Sequence, residues 1–209
     1  ALCHSSMSDD GEPAVNISGG EAGGGETTTF APGEASTRAA AIVDRLGELY
    51  WTKTYGGRDA FECLVRTILS QNTSDVASQP AHDALMERYG GEDDLAERLA
   101  DADQQRLAET IESAGLYNQK SATIIRIAGR IREAYGSAAA FDEFVRDREP
   151  TVVRDTLLEM NGVGPKTADC VLLFAGGQAG VFPVDTHVHR IARRLGIAPP
   201  DADHEQVRE

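Results

Sequence analysis

The chain has 209 residues, enough for one domain with a proper core or for two small ones sharing a cleft. Its hydrophobic content is 41%, no apolar run nears the roughly 18 residues of a membrane span, and no charged-then-apolar leader opens it; the expectation is a cytoplasmic protein with no membrane contact. Acidic residues outnumber basic ones by 34 to 20, giving a net charge of −14, and 17 of the 20 basic residues are Arg. A Lys-poor acidic surface suits a cytoplasm with molar salt, as in a halophilic archaeon, or equally a GC-rich genome that favours Arg codons. On charge alone nucleic acid is excluded as a partner, because nucleic-acid binders usually carry a basic face. Three scattered cysteines, Cys3, Cys63 and Cys170, form neither a disulfide framework nor a close ligand set, so they read as buried or incidental thiols and no metal site is expected in this chain.

Residues 1–35 are rich in Gly, Ser, Glu and Thr and read as a disordered tail that buries too little apolar surface to offset its entropy. From Ser36 the pattern turns helical. Ile42, Leu46, Leu49 and Tyr50 repeat at three and four, with Gly56-Gly57 as the stop. Phe61, Leu64, Val65, Ile68 and Leu69 make a second stripe that runs into the polar stretch Ser70–Asp75. A helix continues to Tyr89, where Gly90-Gly91 close it, and Pro80 either kinks it or divides it in two. Leu107–Ser113 and Ile124–Tyr135 read as further helices, with Gly115 and Gly136 just past their ends and Asn118 as N-cap of the second. Thr151–Met160, Thr167–Phe174 and Thr186–Leu195 complete the set. No alternating strand of useful length appears, so the fold class is all-α.

The chemistry concentrates in Leu157-Leu158-Glu159-Met160-Asn161-Gly162-Val163-Gly164-Pro165-Lys166-Thr167-Ala168. Two helical segments are joined by a hairpin in which two glycines flank one apolar residue. Glycine admits positive φ and leaves its N–H uncovered, so Gly162 and Gly164 let the backbone approach an anion while Val163 plugs inward. The next helix begins near Lys166, and its free amides and positive dipole end favour a phosphate. Such a contact is made by amides rather than by Lys or Arg side chains, which answers the charge objection. The same dipole opposes a positive charge on the Lys166 amine, and an uncharged amine is what Schiff-base formation needs. About twenty residues on, Val184-Asp185-Thr186-His187-Val188-His189-Arg190 sets Asp185 at a helix start, where its carboxylate can face the same cleft.

The Gly-Val-Gly-Pro-Lys-Thr-Ala hairpin followed by Val-Asp-Thr-His resembles the endonuclease III family of helix-hairpin-helix glycosylases. Leu69-Ser70-Gln71-Asn72-Thr73-Ser74-Asp75 and Gly115-Leu116-Tyr117-Asn118-Gln119-Lys120 agree with the same family, in the same order. The likeness runs from about Ala40 to the C-terminus.

That resemblance implies a six-helix barrel domain with the hairpin, here over 58–178, and a second helical domain of which 179–209 is the start and onto which an N-terminal helix at 36–57 packs. The active site is expected in the cleft between them. It implies a bifunctional glycosylase and abasic-site lyase acting, as a monomer, on double-stranded DNA that carries a damaged base or an abasic site. Oxidised pyrimidines are the expected substrates; a mismatch or 8-oxoguanine type of glycosylase and a non-catalytic DNA-binding module are the alternatives. Lys166 corresponds to the family nucleophile and Asp185 to the family aspartate. Gln71 or Asn72 would fill the gap left by a flipped nucleotide, with Leu116 as a second wedge, while Gly162, Val163 and Gly164 hold the phosphate and His187 and Arg190 contact DNA. Many members carry a 4Fe–4S cluster on four cysteines near the C-terminus. The three cysteines here do not fit that spacing, so the cluster is expected only if a further C-terminal segment supplies its ligands, and the chain is read as a fragment.

Overall fold

The computed structural model describes residues 36–50, 59–91 and 94–209. The expected tail over 1–35, Cys3 and the Gly56-Gly57 stop lie outside them. Among the described residues the secondary structure is helical: α1 (Arg38–Tyr50), α2 (Ala60–Ser70), α3 (Asp75–Tyr89), α4 (Leu95–Ala100), α5 (Gln104–Thr110), a 3-10 turn at Glu112–Ala114, α6 (Tyr117–Tyr135), α7 (Ala138–Asp147), α8 (Pro150–Leu158), α9 (Pro165–Phe174), α10 (Thr186–Leu195) and α11 (His204–Arg208). No helix among them is long and apolar enough to cross a membrane.

Helix α2 is the centre of the molecule. Eight of its eleven residues are buried, and only a helix surrounded on most sides hides that much of itself. It packs on α9, α3, α7 and α6, and the Asp59 side chain caps its first turn by accepting from the Glu62 amide at 2.7 Å. A second tether comes from afar: the Ala60 amide donates to the buried Asp142 carboxylate of α7 at 3.1 Å. Phe61, Leu64 and Ile68 of α2, Ile124 and Ile131 of α6, and Phe141 of α7 belong to one continuous core. A separate, smaller cluster holds Val184, Ala192, Ala202 and Val207, with Val188 and Ala198 against it. The described residues therefore form two cores, one made by α2–α9 and one by α10 and α11.

Charge joins them. Asp169 of α9 is 1% exposed and receives Arg154 of α8 at 3.0 Å and Arg208 of α11 at 2.8 Å; Arg154 also reaches Glu205 of α11 at 2.7 Å. A carboxylate this deep is tolerated because two guanidinium groups replace its water.

Several boundaries differ from the sequence-based expectation, each for a local reason. Pro80 sits inside an unbroken α3: the carbonyl its ring leaves without a donor is that of Val76, a residue 86% exposed, where solvent can take over. The helix expected at Leu107–Ser113 ends at Thr110 and tightens into the 3-10 turn. Asn118 does not cap α6. The helix starts earlier, with Leu116 as N-cap in the left-handed region, and the Asn118 carbonyl accepts from the Ser121 hydroxyl within the first turn.

Candidate active site

The hairpin between α8 and α9 is built by two glycines with different tasks. Gly162 has φ of +101°, and a Cβ there would stand 2.5 Å from Thr123 Cγ2 on α6, so both conformation and close packing require glycine. Gly164 has an ordinary extended φ of −97°, and an added Cβ would meet no atom within 4 Å. Only Gly162, then, uses the positive φ expected for the pair. Nothing inside the protein asks for glycine at 164; its bare edge faces the cleft. Val163 between them is 6% exposed, and its amide donates to Met160 O at 2.9 Å, so it plugs the hairpin as expected.

Helix α9 begins at Pro165, a residue suited to the first helical position because its missing N–H has no helical partner to lose. Gly164 offers no side-chain cap, which leaves the amides of Lys166 and Thr167 at the mouth of the helix, where the dipole favours an anion.

A cleft of about 890 Å³ opens above this helix end. It is lined by Gln71 and Asn72 from the loop after α2, by Gly162, Gly164 and Lys166 from the hairpin, and by Asp185 and His187 from the start of α10. The structure thus gathers seven of the ten expected site residues around one space. Val163 lies beneath it as the plug. Arg190 belongs to a neighbouring groove with Arg193 and Arg194, and its guanidinium reaches His187 Nδ1 at 3.1 Å. Leu116 stands on a different loop and is 51% exposed.

Asp185 is held by its backbone role. It is the N-cap of α10, and its Oδ1 accepts from the Val188 amide at 2.7 Å. Gln71 is fixed as well: its side-chain amide donates to Gly162 O at 3.1 Å and to Thr167 Oγ1 at 3.2 Å, tying the α2 loop to the hairpin. Asn72 beside it is exposed, with φ of +54°. Helix α10 carries no acidic residue along its length while presenting Arg190, Arg193 and Arg194. Positive charge is therefore local to the rim of the cleft in a chain that is strongly acidic overall.

Three residues at or beside the site were not assigned by sequence reasoning. Cys170, one turn along α9, is buried within the fields of the Lys166 amine and the Asp185 carboxylate; burial pushes its thiol up, and Lys166 pulls it partly back. It read as an incidental thiol because no cysteine partner flags it, although its spacing of four from Lys166 places it on the same helix face. His204 of α11 lines the cleft and stacks flat on His189 at 4.1 Å, a contact made across two helices that no spacing announces. Lys120, present in one of the matching segments, is 4% exposed and donates to two backbone carbonyls.

Among the described residues no group of three or more His, Cys, Asp or Glu side chains is arranged to hold a metal. These residues do not fit a metal cluster, and the chemistry proposed for the cleft passes through none.

A two-glycine hairpin whose second glycine leaves the start of α9 open to the cleft, with a lysine and an aspartate on that same cleft, makes a helix-hairpin-helix site. The sequence matches the model of the HhH-GPD superfamily of base excision DNA repair proteins over residues 65–209, and the chain belongs to that family. More particularly, it is similar to endonuclease III of Thermotoga maritima, with 36% identity over 138 residues that make up 66% of this chain and 57% of that protein. Endonuclease III of Synechocystis sp. is 34% identical over 162 residues, 77% of this chain and 67% of that one. Among solved structures, a trapped endonuclease III–DNA covalent intermediate superposes with a TM-score of 0.59 and 28% identity, covering 74% of this chain and 65% of the other. The chain spans about half the length of curated relatives it matches, 57% of the Thermotoga maritima protein and 47% of a putative DNA glycosylase of Arabidopsis thaliana.

Proposed function

We propose that the protein is a bifunctional DNA glycosylase and abasic-site lyase that removes oxidised pyrimidines from duplex DNA. The observation that carries this reading is the placement of Lys166 and Asp185 on one cleft directly above the open edge of Gly164. A DNA-binding module without chemistry has no use for that pair.

On this reading the amides at the start of α9 and the bare edge of Gly164 take a phosphate beside the lesion, and the arginines of α10 take neighbouring phosphates. The damaged nucleotide turns out of the helix into the cleft, and Asn72 and Leu116 occupy the space it vacates. Asn72 is favoured over Gln71 as the wedge, because the Gln71 side chain is already committed to the hairpin. The Lys166 amine attacks C1′; the C1′–N bond breaks and the base departs with a proton. Loss of the ammonium proton and opening of the sugar give an imine. Removal of a C2′ proton then expels the 3′ phosphate, which cuts the strand 3′ to the lesion. Asp185 stabilises the positive charge that develops on the sugar and assists these proton transfers.

The test is a panel of duplexes carrying thymine glycol, 8-oxoguanine, a mismatched thymine or a mismatched adenine, scored for base release and strand nicking. Nicking of the thymine glycol duplex ahead of the others supports the reading; base release without nicking, or preference for a mismatch, contradicts it.

A further inference from the structure

Lys120, like Asp169, is a charged residue deep inside the fold. It stands in α6 with 4% of its surface exposed, and its Nζ donates to Leu69 O at 2.8 Å and to Ala114 O at 2.7 Å. Leu69 is the residue before Ser70, the last of α2; Ala114 ends the 3-10 turn before α6. One ammonium thus ties the chain just before the 70–74 loop to the chain just before the 115–116 loop.

The backbone just beyond each anchor turns left-handed. Among the described residues, the two non-glycine positions with positive φ are Asn72, at +54°, and Leu116, at +49°. Each comes two or three residues after a carbonyl that Lys120 holds. A leucine in the left-handed region is strained by its Cβ and persists only where the surroundings determine it. Both side chains are exposed, and both stand on the loops assigned to the vacated base position.

The residue type points the same way. The chain has three lysines, at 53, 120 and 166, against 17 arginines. A planar guanidinium with five fixed donors is the wrong shape between two carbonyls that converge on one point; a compact ammonium is the right one. Burial lowers the affinity of Lys120 for its proton, a cost that the two carbonyl contacts offset.

We infer that Lys120 is a positioning residue that sets the two intercalating loops, Asn72 and Leu116, in one fixed relation, so that both enter the DNA stack together. The inference rests on the glycosylase reading for its consequence, and on geometry alone for the pin itself.

Lys120→Met keeps the hydrocarbon stem and removes the donors. In the DNA-free protein, hydrogen exchange should rise roughly tenfold in segments 70–74 and 115–119 together while the hairpin at 160–165 stays as protected as in wild type. Loosening of one segment alone, or a uniform rise through α6 and the core, overturns the pin. On DNA, the rate of borohydride trapping should fall roughly tenfold on a fully paired duplex with an abasic site and stay within about twofold on a single-stranded abasic oligonucleotide, which needs no wedge. Equal losses on both overturn the positioning role. A wild-type protein that traps neither substrate counts against the glycosylase reading, and the exchange pattern still decides the pin. Should Lys120→Met fail to fold, the wild type serves. With three lysines, ammonium nitrogen–proton correlation spectra are readily assigned, and Lys120 should give one slowly exchanging ammonium with cross-peaks to residues near both 69 and 114. Absence of that signal, or cross-peaks to one loop alone, overturns the inference.

Discussion

Alanine in place of Gly162 and of Gly164 should have opposite consequences, although the two glycines are separated by a single residue. At 162 the chain would have to hold an L-residue at φ of +101°, which costs about 1–2 kcal/mol. The new Cβ would also meet Thr123 Cγ2 at 2.5 Å, and overpacking of that kind adds roughly 1–3 kcal/mol. Gly162→Ala should therefore lose about 2–5 kcal/mol in a denaturant titration. Replacing Thr123 by Ser removes the clashing methyl but not the backbone strain, so Gly162→Ala in that background should cost only about 1–2 kcal/mol. At 164 the backbone is extended and the space is open, so Gly164→Ala should be neutral or stabilising by about 0.4–1 kcal/mol through the unfolded chain. Its methyl stands where the phosphate is expected, and fluorescence anisotropy on a duplex with a tetrahydrofuran abasic analogue should show Kd weakened roughly tenfold, about 1.4 kcal/mol. If Gly164→Ala destabilises the fold as much as Gly162→Ala, or binds DNA as wild type does, the reasoning about the open edge is wrong.

The same geometry sets other expectations. Asp185→Asn keeps an oxygen able to cap α10 and should melt with wild type, yet lose base release by a hundredfold or more on the scale of a lost general acid–base group; Asp185→Ala should lose about 1 kcal/mol of stability as well, and full base release by either variant would remove Asp185 from the chemistry. Asp169→Asn leaves Arg154 and Arg208 without their buried carboxylate and should cost about 3 kcal/mol, read by calorimetry; a loss under about 0.5 kcal/mol, typical of a surface pair, would show that the bridge between the two cores is idle. Burial raises the Cys170 thiol above its ordinary range, so the unfolded chain gives up that proton first as pH rises, and this group's contribution to stability declines once pH passes the unfolded thiol value. In the native protein near pH 8, iodoacetamide should leave the peptides of Cys63 and Cys170 unmodified over a time that fully labels the urea-unfolded chain; rapid native labelling of Cys170 would contradict its burial.

The all-α class, the hairpin and the helix carrying Asp185 could be read from sequence because each is local: Pro165 at a first helical position, Asp185 as a side-chain cap, Val163 as an apolar residue between glycines. Helices α4, α7 and α11 escaped that reading. α4 and α11 have six and five residues, too few turns for a periodic stripe. α7 did leave a signal in the Ser137 cap and the Phe141–Val145 spacing, which the flanking charged residues obscured. What could not be read is whatever depends on separated segments meeting. Lys120 gathers carbonyls 51 and 6 residues away, Gln71 grips a hairpin 91 residues on, and His204 reaches the cleft only because α11 folds back against α10. Asn118 looked like a cap because its chemistry suits one; the turn was made instead by Gly115 and a left-handed Leu116, which no propensity favours.

The proposed chemistry stands or falls with Lys166 as the nucleophile in this cleft. Borohydride reduction of the protein on a duplex with an abasic site, with mass mapping of the adduct, examines that role without intermediaries. One covalent complex should form, its reduced sugar on the peptide containing Lys166, and none should form with Lys166→Gln. An adduct that maps to Lys53 or Lys120, or that forms undiminished with Lys166→Gln, would contradict it.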